Sequence, residues 1–503
     1  MILYLIIYYL YPYLININYY FIFFPLFILF KIIKYHIFPF ILISNRKLIY
    51  YPSVAETSSR DITAELCTQN PKRLICKGSN RFSIPSSFCR KTTSQGNSMM
   101  ASTFPPVIAF AFILALLFLG AMTRRALPFF QRNLVPASLI GGVAGFLLIA
   151  SDLSMGYVSS DFTAIAFQAF TLSFMSLVLT SRTHSRDSSE LAWGGLWMSV
   201  IWVISLSLQA LLGLLLIRLY NGFSSDQPLS DYLGMIITHG FTQGPGQAIA
   251  IGSLWETSFD IQLATDFGLI YASLGFVAAF VIGVPVARWA MGQQLQQGSE
   301  RIDAEFEEGF FEQPGKHPAG HQISHPANLD SLGFHLGLLG VAYLLTHGYL
   351  SAMQVLVRDT AIENIFSYNL FFFHGLMVCV ILRRCLDALK LGHLVDDETQ
   401  KRITGTSVDI MVTATLVSVN FGLLSTFWVP IVWVALGITI ATALLCLGAG
   451  RRLKTFGLER GLTSFGCCSG STGTGILLLR ILDPQLASPV AKELAFFNIA
   501  IVF

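Results

Sequence analysis

Apolar residues run through this chain in blocks too long for the core of a soluble domain. From Pro106 onward, blocks near 106–122, 136–150, 162–180, 193–218 and 264–290 carry few or no charges. A helix of about 20 such residues, rising about 1.5 Å per residue, spans a hydrocarbon core of roughly 30 Å, so each block predicts a membrane-crossing helix. The pattern then repeats, with blocks near 332–356, 363–382, 407–425, 428–449 and 489 to the end. Between the two sets, from about Gly292 to Asn328, Glu300, Arg301, Asp303, Glu305, Glu307 and Glu308 stand among Gly, Pro and His residues. That segment is too polar for a membrane interior and reads as a flexible linker.

Two glycine-rich polar stretches break the pattern at matching places, each before the fifth block of its set. They are Thr238-His-Gly-Phe-Thr-Gln-Gly-Pro-Gly-Gln-Ala248 and Ser464-Phe-Gly-Cys-Cys-Ser-Gly-Ser-Thr-Gly-Thr-Gly475. Gly240 and Gly466 lie 226 residues apart, close to the length of one set. An unpaired amide in hydrocarbon costs several kcal/mol, so irregular backbone survives there only inside protein or beside a water-filled cavity. Gly240, Gly244 and Gly246 with Pro245, and Gly466, Gly470, Gly473 and Gly475, are therefore expected to form hairpin turns with free carbonyls and amides. Oxygens of Thr242, Gln243, Ser469, Ser471, Thr472 and Thr474 suit an alkali cation, and the amino ends of half-helices suit a carboxylate. The plainer alternative makes Gly240-xxx-Gly244 and Gly466-xxx-Gly470 simple helix contacts. The paired placement and the polar residues in both stretches favour binding hairpins.

Charge sets the expected topology. Arg124, Arg125 and Arg132 flank the first loop, Arg182 and Arg186 the third, and Arg288, Arg301 and Lys316 the linker. Arg383, Arg384, Lys390, Lys401 and Arg402, then Arg451, Arg452, Lys454 and Arg460, fall in two loops of the second set. The loops 151–162, 221–231 and 425–429 hold no Lys or Arg. Basic loops are expected on the cytoplasmic side. Five spans then carry the chain from outside to inside, so the second set must insert the other way up. The expected fold is an all-α membrane protein, an inverted repeat of two five-helix units, each with a re-entrant hairpin before its fifth helix.

Composition agrees: 503 residues, 53% hydrophobic and 12% charged, where about 25% charged is usual in soluble domains. The net charge of +3 says little about partners, and nothing suggests nucleic acid. The eight cysteines show no zinc or redox spacing, and no nucleophile–base pair stands out, so neither an enzyme nor a cofactor is expected. Residues 1–98 are an Ile/Tyr/Leu/Phe/Asn-rich run and then a Ser/Thr/Arg/Lys-rich one, unlike a secretory signal. They read as a gene-model artefact or weakly ordered extension before a working start at Met99 or Met100, or else as an extra membrane hairpin or targeting leader. The units expected after them are 100–290, a cytoplasmic linker 291–330, and 331–503. Only about 14 residues remain from Val490 to Phe503, so the last span is expected to stop short of its natural end.

Phe267-Gly-Leu-Ile-Tyr-Ala-Ser-Leu-Gly-Phe276, followed by Gly283-Val-Pro-Val-Ala-Arg288, resembles a helix of the bacterial-type glutamate:sodium symporters that ends in Gly-Gly-Pro-Val-Ala-Arg. Leu134-Val-Pro-Ala-Ser-Leu-Ile-Gly-Gly-Val-Ala-Gly145 is similar to that family's Ile-Pro-Glu-Pro-Val-Ala-Gly-Gly segment. The resemblance covers residues 100–503 and implies two inverted five-helix repeats with re-entrant loops, taking up glutamate with sodium. The family's first loop reads Gly-Gly-His-Gly-Thr-Gly-Ala-Ala, whereas this chain has the bulkier Thr238-His-Gly-Phe-Thr-Gln-Gly-Pro-Gly-Gln, and Ala137-Ser138 replace the acid after Pro136. Cys467-Cys468 stand where smaller or less reactive residues are usual.

The expected function is sodium-coupled symport of L-glutamate or a related acidic amino acid across the plasma membrane, by a protein that is a candidate homodimer. The candidate site comprises Thr238, His239, Gly240, Thr242, Gln243, Gly244, Gly246, Gly466, Ser469, Gly470, Thr472, Gly473 and Thr474, with sodium between the hairpins. Further candidates are Asn420, as a polar group inside a span; Arg480, as a partner for a carboxylate; and Asp266, equivalent to Glu493, as an acid at the start of a fifth span. The rivals are a sodium- or proton-coupled symporter of another carboxylate, and an uncoupled channel or receptor on the same fold.

Overall fold

The computed structural model describes residues 104–500, apart from 152, 154–155, 181–187, 224–228, 296–306, 311–319, 326, 361 and 484–487. The segment 1–98 lies outside the described residues. The described secondary structure is helical throughout, and seven of its helices are long and apolar enough to cross a membrane. Their outer faces are apolar: Phe118, Trp193, Leu211, Leu344 and Leu444 are all exposed, as lipid-facing side chains are.

The first set comprises α1 (Phe104–Ala126), α2 (Ala137–Ala150), α3 (Ser160–Leu179) and α4 (Ser188–Phe223). A short turn, Tyr232–Met235, leads into α5 (Ile237–Phe241), α6 (Pro245–Phe259) and α7 (Ala264–Gly292). The second set comprises α8 (Ser331–Leu356), α9 (Phe371–Ala388), α10 (Asp397–Val417), α11 (Phe421–Thr426) and α12 (Trp428–Gly450). It ends with α13 (Gly457–Ser469), α14 (Thr472–Leu482) and α15 (Pro489–Ala500).

Two expected spans are corrected. The block 363–382 begins as two 3-10 turns, Glu363–Phe366 and Tyr368–Leu370, and only then becomes α9. The block 407–425 is not one helix: α10 stops at Val417, and Asn420 starts α11 by accepting the Leu423 amide on Oδ1 at 3.2 Å. Asparagine competes for backbone in this way and is favoured at helix starts, so Asn420 is a cap and not a polar group within a span.

The helices of the two sets are interleaved. α3 packs along α10 as the most intimate helix pair, α2 lies against α10, and α9 lies against α3 in the reciprocal arrangement. Beside them α4 packs on α12 and α15, while α12 packs on α13 and α7. Basic helix ends come together. Arg124 Nη2 donates to the Glu307 carbonyl at 3.2 Å, Arg288 Nη2 to Glu307 Oε1 at 3.3 Å, and Arg383 Nη1 to the Leu179 carbonyl at 3.0 Å.

The described parts of the linker are docked, and 296–306 and 311–319, where most of the expected flexible linker falls, lie outside the described residues. Phe310 lies 5.2 Å from the Arg125 guanidinium, and His321 Nδ1 is 2.9 Å from Asp396 Oδ1. Asp396 also caps α10, accepting from Thr399 N at 2.8 Å and Thr399 Oγ1 at 2.7 Å on Oδ2. Burial opposes its ionisation, but the hydrogen bonds from Thr399 and His321 outweigh it and hold the carboxyl well below the usual range.

Candidate functional site

Both glycine-rich stretches are mostly helix, interrupted only at Thr242-Gln243-Gly244 and at Gly470-Ser471. Pro245 opens α6, where its missing N–H costs nothing and its ring forbids continuation of α5. Gly244, just before it, sits at φ 90° and ψ 174°, a backbone region essentially restricted to glycine. At the second break Ser471 caps α14, its Oγ accepting the Thr474 amide at 3.4 Å.

The two breaks meet. A Cβ built on Gly244 would lie 3.3 Å from the Gly470 carbonyl oxygen and 3.8 Å from Ser471 Cβ. Two residues back, Thr242 Oγ1 lies 3.2 Å from the Cys468 carbonyl oxygen. Thr242 and Cys468 are 226 residues apart, the offset that also separates Gly244 from Gly470. Both contacts thus join residues at the offset that also separates Gly240 from Gly466.

The other glycines let helices touch. A Cβ at Gly240 would fall 2.7 Å from Ala272 N, one at Gly466 2.8 Å from Gly475 Cα, and one at Gly246 against the Phe170 ring. Gly473 is 3.3 Å from Val408 by the same construction, and Phe276 of α7 closes in beside Gly470. The turn-forming role expected for seven glycines thus belongs to Gly244 and Gly470 alone. Gly240, Gly246, Gly466, Gly473 and Gly475 lie within helices, where they serve close packing.

A residue outside both stretches joins the breaks. Gln209 of α4 is fully buried; its Nε2 lies 2.9 Å from the Cys468 carbonyl, 3.0 Å from Thr442 Oγ1 and 3.1 Å from Ser205 Oγ. Its Oε1 accepts from Thr242 Oγ1 at 2.7 Å, and Trp202 Nε1 donates to the Thr242 carbonyl at 3.3 Å. The amide orientation follows from Cys468, whose carbonyl can only accept. The sequence reading missed Gln209, Ser205 and Thr442. An amide four residues after a serine in an otherwise apolar span was the available signal, since intramembrane polar groups face the protein interior.

This geometry gives a buried, uncharged, oxygen-rich junction between two interrupted helix pairs, within helices long enough to cross a membrane. The profile of the family described as sodium/glutamate symporter matches residues 104–458, well over half of the chain. The chain belongs to the sodium/glutamate symporter family. It is accordingly an integral membrane transporter and not an enzyme. The matched region contains the first break whole and ends before the second. No curated protein matches the chain.

The remaining candidates are placed as follows. Thr238 Oγ1 donates to the Leu206 carbonyl at 2.9 Å and so ties α5 to α4, away from the tip. His239 Nδ1 is paired with Gln243 Oε1, and its ring stands edge-on to Trp255 at 5.8 Å. Thr474 is buried, Thr472 is half-buried in the first turn of α14, and the fully buried Ser469 hydroxyl has no hydrogen-bond partner. Ser273, Thr463 and Ser464 likewise carry buried hydroxyls without partners. Arg480 is exposed near the end of α14. Asp266, in the first turn of α7, is half-buried. Glu493, expected as its equivalent, is instead buried in a two-pronged ion pair with Arg460 at 2.6 and 2.7 Å, which ties α15 to α13.

Proposed function

We propose that the chain is a secondary active symporter that moves L-glutamate or a related acidic amino acid with sodium, the solute binding where the two breaks meet. The observation that carries this is the tip-to-tip approach of Gly244 and Gly470 at the repeat offset. At each break a new helix begins, α6 at Pro245 and α14 at Thr472, so two positive helix ends converge where an anion would sit. The C-terminal end of α13 supplies carbonyl oxygen beside them, the partner a cation needs.

The two sets are read as five-helix repeats of opposite orientation, with the breaks as re-entrant hairpins entering from opposite faces. The reciprocal packing of α2 on α10 and α9 on α3 supports this reading. The meeting of the Arg124 and Arg288 ends at Glu307 is consistent with it, since four spans lie between them, an even number returns the chain to the same face, and both ends are basic. Alternating access would then move one group of helices past the other around the joined tips.

Uptake of labelled glutamate into proteoliposomes, with and without an inward sodium gradient, tests the proposal. Accumulation above equilibrium that requires sodium is expected. Accumulation without sodium would remove sodium coupling, and flux that stops at equilibrium would favour a channel.

A further inference from the structure

We infer that a polar hollow at the C-terminal end of α8 is a second solute site, built for a neutral, zwitterionic α-amino acid. The hollow, of about 490 Å³, lies between that helix end and the two 3-10 turns that precede α9, and its size is that of a small-molecule site. Ser351, Gln354, Arg358, Glu363, Asn364 and Ser367 line it. The lining therefore holds one cation and one carboxylate among neutral hydrogen-bonding groups.

Local geometry leaves these groups available. Among the described residues the side chains of Gln354 and Arg358 make no hydrogen bond or ion pair. Glu363 Oε2 accepts the Asp359 amide at 2.9 Å, fixing a turn in which Asp359 stands at φ 60°, and Oε1 remains for another donor. Asn364 Oδ1 accepts from Ser258 Oγ at 3.2 Å, so its amide nitrogen is left to donate. An α-amino acid brings a carboxylate to Arg358 and an ammonium to Glu363, and both of its charges are then matched. A second carboxylate, as in glutamate, would find no second cation in the lining. The hollow thus disfavours acidic side chains, whereas its amides and hydroxyls suit a side chain such as that of glutamine.

The hollow is tied to the first break. Asn364 is bonded to Ser258 of α6, and Asn369 Oδ1 accepts from Ser253 Oγ of the same helix at 3.4 Å, so the 3-10 turns hold α6 at two points; its other end is the Gly244 break. The outer position of the hollow rests on the orientation proposed above, in which α8 rises from the cytoplasmic linker and α7 returns from the end of α6 to the basic end at Arg288. A ligand that stiffens the turns also stiffens α6. A neutral amino acid outside the membrane would in this way modulate uptake of the acidic one.

Purified full-length chain in detergent, in choline buffer without sodium, is titrated with L-glutamine, and binding is read by saturation-transfer NMR of the ligand. Saturable binding is expected, weaker by about fivefold or more for L-glutamate and for N-acetyl-L-glutamine and L-glutaminamide, which each lack one of the two charges. Arg358→Gln and Glu363→Gln should each weaken L-glutamine binding by a similar factor, while Arg358→Lys, which keeps the charge, stays within about twofold. Both side chains are exposed, so the variants are expected to fold, which an unchanged thermal midpoint checks. Gly244→Ala, which alters the first break, should leave L-glutamine binding as it is. No saturable binding of L-glutamine by the wild-type chain, equal binding by Arg358→Gln and Glu363→Gln, or equal binding of L-glutamate would overturn the inference. Binding lost in Gly244→Ala and kept in Arg358→Gln would assign the solute to the breaks, overturning the inference while leaving the proposed symport standing. The titration needs no sodium, so its outcome is independent of sodium-driven uptake.

Discussion

Replacing Gly244 by alanine isolates the backbone of the first break from every side-chain contact. At φ 90° and ψ 174° the residue occupies a region where a Cβ costs about 1–3 kcal/mol, and nothing is lost chemically except a hydrogen. The new Cβ would also stand 3.3 Å from the Gly470 carbonyl oxygen, close enough that one break must shift by a few tenths of an ångström. Taking about 2 kcal/mol, the population of joined tips falls roughly thirtyfold relative to any arrangement that relieves the strain. Sodium-driven uptake should fall by about that factor, with correctly folded protein still recovered from detergent. Gly348→Ala in α8 is the control: its Cβ would meet nothing within 4 Å, so transport should be unchanged and the helix slightly more stable. Gly244→Ala that transports at the wild-type rate, alongside an unaffected control, would refute the claim that this backbone geometry forms the site.

Arg460→Met should destabilise the chain by about 3–5 kcal/mol because it leaves Glu493 charged and buried, and Arg460→Met with Glu493→Leu should recover much of that loss; thermal unfolding in detergent measures both. Asp396→Asn should cost stability in a pH-dependent way. The folded carboxyl titrates below its unfolded value of about 3.9, so its contribution is fully present above that pH and disappears as pH falls towards the folded value. The gap in thermal midpoint between wild type and Asp396→Asn should therefore be flat above about pH 5 and close on acidification; a gap that widens in acid would contradict the hydrogen-bond assignment.

How much was legible varies by element. Helices such as α1, α3 and α12 followed from apolar length alone, because in hydrocarbon every backbone amide must bond within its own segment. The places of the breaks followed from glycine and proline, and the offset of 226 was visible before any coordinates. Yet Gly240 and Gly466 looked like turn residues and proved to be packing residues, since composition does not distinguish a glycine that bends the chain from one that admits a neighbouring backbone. Asn420 looked like an intramembrane polar group because its capping bond to Leu423 exists only once α10 has ended.

The sequence by itself determined that the chain is a helical membrane protein and where glycine and proline interrupt its apolar blocks, because burial in lipid acts on the chain locally, block by block. Only the tertiary structure decided what the interruptions touch. It set Gly244 against Gly470, drew Gln209 from one fourth helix and Thr442 from the other into one cluster, and took Glu493 out of contention by pairing it with Arg460. Those contacts join residues that are distant in sequence, and hydropathy along the chain carries no record of which faces meet across the bundle.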